Sequence, residues 1–172
     1  GWNLSMLTAR LSESCNPGDY WDVQGIGSYL VSYNAVEERK HLVSIDWGNG
    51  TVDKFKMKLS YEKSYQPTIY NISISYEAES STKSKLEAIG TTSGYFTNSG
   101  MLCLSSGETF SPTKYKLTTE QGVVFIIDKK NGIESINDTN GNVLTVTKDG
   151  IKSSNGKNID FIRNENGNIT KI

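Results

Sequence analysis

At 172 residues the chain has room for one domain or two small ones. Its formal net charge of −1, from 18 basic and 19 acidic residues, gives no basic excess for nucleic acid. No run approaches the roughly 20 apolar residues that a membrane-spanning helix needs. Apolar residues make up 35% of the sequence, with nine tyrosines and five phenylalanines supplying much of the hydrophobic surface. Asn, Ser, Thr, Gly and β-branched residues are abundant, which favours strands and turns over helices.

Gly1 to Leu11 mixes apolar and polar residues as a strand does, and Cys15-Asn16-Pro17-Gly18-Asp19 is a turn. Tyr20–Gln24 and Tyr29–Tyr33 follow as short strands around Gly25-Ile26-Gly27. Leu42–Trp47 runs into the turn Gly48-Asn49-Gly50, and Thr51–Tyr61 alternates. Val52, Phe55, Met57, Leu59 and Tyr61 are assigned to one face of that strand and Lys54, Lys56, Lys58 and Ser60 to the other. The pair predicts a hairpin. Ile69–Tyr76 repeats the alternation, Glu77–Lys85 reads as a loop, and Leu86–Gly90 as a short helical turn. Thr91–Gly100 is a small-residue connection, and no segment sustains a helical period, so almost no helix is expected.

From Tyr115 the pattern tightens. Tyr115–Thr118, Gly122 and Val123–Ile127 predict a hairpin, after which Asn-Gly pairs punctuate short apolar runs. Five such pairs occur, at Asn49-Gly50, Asn131-Gly132, Asn140-Gly141, Asn155-Gly156 and Asn166-Gly167. Asn-Gly tolerates positive φ at both central positions of a two-residue hairpin turn. The series therefore predicts an up-and-down antiparallel strip that must roll, stack or close to bury its apolar face. Gly1 in place of an initiator Met, and a strand-like Ile169–Ile172 without a closing turn, predict a piece of a longer chain.

The residues of this strip resemble a known family. Gly132-Ile133-Glu134-Ser135-Ile136-Asn137-Asp138-Thr139-Asn140-Gly141-Asn142-Val143-Leu144-Thr145 is similar to the G-x-x-S-I-x-D-x-N-G-N-x-L-T run of RHS/YD-repeat proteins. Gly156-Lys157, Phe161 and Gly167–Ile172 resemble its continuation, and Tyr115–Thr119 with Gly122 and Phe125 resembles the family's Y-x-L-T-x-x-D-G-x-x-Y/F. Gly1-Trp2-Asn3-Leu4-Ser5 resembles the G-W-x-L-S that precedes first repeats. The match is strongest over 115–172, while Glu13–Pro112 resembles the family in layout only. There are departures: the eponymous Tyr-Asp is replaced by Ile127-Asp128 and Arg163-Asn164, Gln121 stands for Asp, and Asn168 for Arg.

The resemblance implies an all-β fold of antiparallel strands joined by tight hairpins, in a curved or spiralling sheet. The alternative is a self-contained β-sandwich. It implies residues 1–112 as a β-rich segment leading into hairpin repeats over 113–172. It further implies a structural part of a secreted or cell-surface shell, whose partners are the rest of that shell and an enclosed C-terminal toxin, effector or adhesive domain. A surface glycan or protein is a further candidate partner. Nothing here resembles the family's autoprotease motifs.

The residues able to carry chemistry also have plainer roles. His41, the sole histidine, has no nucleophile elbow to serve and reads as exposed or at a strand edge. Cys15 and Cys103 form either one long-range disulfide or two free thiols, and no zinc spacing is present. Asp46, Asp53, Glu77 and Glu79 read as solvated strand or loop carboxylates rather than a glycosidase pair. Asp138, Asn140 and Asn142 occupy the first, third and fifth positions of a would-be calcium loop, with Asp149 at the twelfth. Val143 replaces its glycine and strands flank it, so a plain turn is expected. Trp2, Trp21 and Trp47 suit either a sugar-stacking platform or a small β core. Sequons at Asn3, Asn49, Asn71, Asn137 and Asn168 are what an Asn/Ser/Thr-rich chain produces by chance. The expectation is therefore no enzyme, no cofactor and no metal, with a carbohydrate- or protein-binding β module as the alternative.

Overall fold

The computed structural model describes residues 9–79, 81–97 and 100–172. The expected strand within Gly1–Leu11 lies mostly outside these residues. Among the described residues strands account for all the regular structure: β1 Arg10–Glu13, β2 Trp21–Ile26, β3 Ser32–Glu37, β4 Leu42–Asp46, β5 Val52–Ser60, β6 Ile69–Ala78, β7 Lys85–Ala88, β8 Ser93–Thr97 and β9 Gly100–Cys103. The second half adds β10 Lys114–Thr118, β11 Val124–Asp128, β12 Gly132–Asn137, β13 Val143–Thr147, β14 Gly150–Ser153, β15 Asn158–Asp160, β16 Ile162–Arg163 and β17 Ile169–Lys171. All pairings are antiparallel, as expected for this all-β chain, and one sheet curls like a half-barrel.

One sheet has six strands in the order β1-β4-β5-β6-β8-β9, and the other has seven in the order β15-β14-β13-β12-β11-β10-β7. Alternation aims one face of each sheet at a single core. Val43, Ile45, Phe55, Met57, Ile72 and Phe96 come from the first, and Leu86, Tyr115, Leu117, Phe125, Ile127 and Ile136 from the second. At roughly 1.5–3 kcal/mol per fully buried large apolar side chain, this shared layer is the main source of stability.

Between the sheets sits a polar clasp. Glu13 of β1, with its side chain 4% exposed, accepts the Tyr115 hydroxyl at 2.5 Å and pairs with Lys129. Burial, followed by the neighbouring Tyr76 ring and the Glu13 carboxyl, pushes the Tyr115 phenol far above its ordinary range.

The expected strip forms from β10 to β15 but stops there, because β16 and β17 pair only with each other in a separate two-stranded sheet, and its turns differ as well. Asn140, Asn155 and Asn166 do not adopt positive φ; only the glycine after each does, at 82°, 85° and 79°. Each hairpin is a type I turn closed by a left-handed glycine, a three-residue loop rather than a two-residue one. The Gly141 N–H donates to Asp138 O at 3.2 Å, and the Asp138 N–H to Asn142 O at 2.9 Å. The same pair of bonds closes Ser153–Lys157, Asn164–Asn168 and Thr119–Val123. The side chain of the first loop residue then ties the turn: Asp138 Oδ1 accepts the N–H groups of Asn140 and Asn142, and Asn164 Oδ1 those of Asn166 and Asn168. The operative pattern is Asp/Asn/Ser/Thr-x-x-Gly, which includes Thr119–Gly122 where no Asn-Gly pair stands.

Other local expectations shift. Leu86 and Ala88 are buried while Lys85 and Glu87 face solvent, a period of two, so the segment expected to be a helical turn is strand β7. Thr91–Gly100 contains β8 rather than being only a connection. Parity puts Asp53, not Val52, on the inner side of β5: Val52 is 41% exposed and pairs outside with Asp46. β6 runs on to Ala78 through a bulge at Asn71, whose φ of 54° asparagine tolerates.

β2 and β3 form a separate hairpin braced at its base. Trp21 stacks on His41 at 4.5 Å, and the Ala35 N–H donates to Tyr61 Oη at 2.9 Å. Its tip leaves Ile26, Tyr29 and Leu30 exposed.

Candidate functional site

A hollow lies where loops of both sheets meet. It is an open cleft of about 360 Å³. One wall is the β4–β5 turn from Trp47 to Asp53, a second is the segment 81–84 leading into β7, and the third is the β10–β11 loop from Thr119 to Gln121. Phe125 of β11 closes the bottom.

Local bonding fixes Trp47. Its backbone N–H donates to Thr51 O at 3.1 Å, closing the turn, and Asn49 Oδ1 accepts the Thr51 N–H and hydroxyl at 3.0 and 2.6 Å. The inward position of Asp53 lets its Oδ2 accept the indole N–H at 3.0 Å. The indole meets Phe125 edge to face, with centroids 5.2 Å apart. A half-buried aromatic surface is thus held in one orientation before any ligand arrives. Across the rim Lys83 pairs with Glu120 at 2.7 Å.

The other predicted residues are dispersed. His41 is buried at 2% exposure, which corrects the exposed or strand-edge expectation. Its Nε2 faces Asp19 O at 2.7 Å, its Nδ1 faces Glu37 Oε1 at 3.1 Å, and its ring lies under Trp21, so it pins the β2–β3 hairpin. Burial raises the Glu37 carboxyl, but the His41 backbone N–H, the Lys56 ammonium and the His41 ring outweigh it and hold the group below its ordinary value. Cys15 and Cys103 are free thiols, and Cys15 lines a narrow crevice beside His41.

Asp46 accepts the Gly48 N–H, Glu77 pairs with Lys58 and Glu79 with Lys40, so of the four carboxylates only Asp53 reaches the cleft. Asp138 spends its oxygens on Asn140 and Asn142, and the Asn142 amide contributes most to holding its carboxyl low. Among the described residues no group of three His, Cys, Asp or Glu is placed to hold a metal ion. Trp2 and Asn3 lie outside the described residues.

Sequence reasoning had singled out Trp47 and Asp53, for separate roles. It missed Asn49 and Gln121 as companions, and the spacing of the three segments carries no signal that would join them. No family model matches the chain, and no curated protein or solved structure matches it either.

Proposed function

We propose that this chain is a wall segment of an RHS/YD-type β-shell, secreted or displayed at a cell surface. It would be completed by further strands of the same protein and would enclose or present a C-terminal effector or adhesive domain. In this reading residues 113–172 are the repeating hairpins, residues 1–112 lead into them, and the segment performs no catalysis.

The observation that carries the reading is the way the strip ends. From β11 to β15 each strand pairs with the one before it, so the sheet grows in chain order. Burial declines along it, from Ile127 and Ile136 at 0% and 1% exposed to Ile159 at 40%, and in the separate β16–β17 hairpin and the residue after it Ile162, Ile169 and Ile172 are 54%, 43% and 76% exposed. These late isoleucines stay about half exposed or more, and apolar surface of that kind is normally covered. A sandwich complete in itself would share the two-layer core, but it gives no reason for this uncovered stretch.

The test is amide hydrogen exchange on the 172-residue chain and on the full-length gene product. Amides of 158–171 should exchange fast in the chain alone and at least about a hundredfold more slowly in the longer protein, the protection expected of buried strands. Equally fast exchange in both would defeat the shell assignment.

A further inference from the structure

We propose that the cleft at Trp47 binds a neutral pyranose, recognised by the indole face together with Asp53, Asn49 and Gln121. This does not rest on the shell reading, because a shell wall requires no ligand.

The cleft's lining is unusual for a β core. Apart from the two aromatic rings, every described residue around it is polar, and none is aliphatic. A peptide held by side-chain burial needs aliphatic pockets, which this cleft lacks. A phosphorylated or carboxylated ligand needs a free cation. The lining's single cation, Lys83, is paired with Glu120, and Asp53 adds a second negative charge. A neutral sugar ring satisfies both constraints. Its axial C–H groups form a small apolar face that suits an aromatic surface, and its equatorial hydroxyls donate to carboxylates and exchange bonds with planar amides.

The protein groups are available for that. Asp53 uses Oδ2 on the indole, leaving Oδ1 with no protein partner among the described residues. Asn49 uses only its Oδ1, leaving its amide nitrogen without one. The Gln121 side chain likewise makes no bond to protein among the described residues. Asp53 therefore serves twice, orienting the platform with one oxygen and facing the ligand with the other. A shallow site with one aromatic platform implies a dissociation constant on the order of 1–10 mM.

The experiment is a 15N–1H titration of the whole chain with methyl β-D-galactopyranoside, cellobiose and N,N′-diacetylchitobiose, and with 3′-sialyllactose against lactose for charge. At least one neutral sugar should move the Trp47 indole and Gln121 carboxamide signals together, saturating in the millimolar range. Gln121→Ala, which removes no bond within the fold, should weaken this at least threefold without changing the unfolding temperature. Trp47→Phe should abolish it. The proposal is overturned if no neutral sugar shifts these signals at about 50 mM, well above the expected constant. It is also overturned if sialyllactose binds more tightly than lactose, or if Gln121→Ala leaves the titration unchanged.

Discussion

Replacing Tyr115 by Phe isolates one of the polar bonds that tie the two sheets together. The ring is fully buried and stays in place, so the change removes one hydroxyl and leaves little cavity. What is lost is the 2.5 Å donor to Glu13 Oε1, on a carboxylate whose side chain is only 4% exposed. Lys129 still pairs with the other oxygen, so the carboxylate is not orphaned. A buried hydrogen bond to a charged group contributes about 1.5–3 kcal/mol, and we expect a loss near 2 kcal/mol. For a chain of this length that corresponds to roughly 4–8 °C in Tm.

Urea unfolding followed by tryptophan fluorescence should give a lower midpoint at unchanged slope. Glu13→Gln and the double variant complete a cycle, with an expected coupling of about 1 kcal/mol or more. There is an alkaline signature too. Tyr115 is raised above its ordinary 10.0 in the folded state, so its contribution is intact below about pH 10 and is lost as pH rises beyond it. Tyr76, which burial pushes up to about 12, behaves the same way. Tyr115→Phe should therefore make the fall in stability above pH 10 shallower, and an equally steep alkaline limb in the variant would count against the clasp. An unchanged urea midpoint, or strictly additive single variants, would refute the clasp.

Further expectations concern turns, acid stability and thiols. Gly141→Ala should cost only the left-handed backbone penalty, about 1–2 kcal/mol, because a Cβ there meets nothing within 4 Å. Gly150→Ala should cost clearly more, since its Cβ would lie 2.1 Å from Ile159 O, and comparing the two urea midpoints checks the order. Glu37 is held below its ordinary 4.5, so its contribution is present above that value and is lost as pH falls through the lower folded one. Glu37→Gln should flatten the acid limb of a Tm-versus-pH curve, and an unaltered limb would remove Glu37 from it. Both cysteines are free, so Ellman titration of the unfolded protein should count two thiols, and dithiothreitol should leave Tm unchanged.

Much of the strip was legible because its information is local. Each short apolar run is followed by a glycine that only a turn explains, so 115–172 resolves into hairpins on sequence alone. The loop type is not carried by the Asn-Gly pairs, because the turn is set three residues before the glycine, at Thr119, Asp138, Ser153 and Asn164. β7 was misread because Leu, Glu and Ala favour helix, while its state is decided by pairing with β10. The burial of His41 depends on Trp21, Asp19 and Glu37, which reach it only when a separate hairpin folds over. The cleft was illegible as a site for the same reason, being assembled from 47–53, 81–84 and 119–125, segments no local rule connects.

The placement of β7 has a mechanical consequence. In sequence it lies between β6 and β8 of the six-stranded sheet, yet it forms the edge of the other sheet beside β10. The chain therefore crosses from one layer to the other and back, like a stitch through two cloths. The layers cannot be drawn apart without pulling that thread, so under load they should yield together rather than peel in turn. Residues 81–84, on the incoming leg of the stitch, also wall the cleft, so the cleft lies on the seam itself.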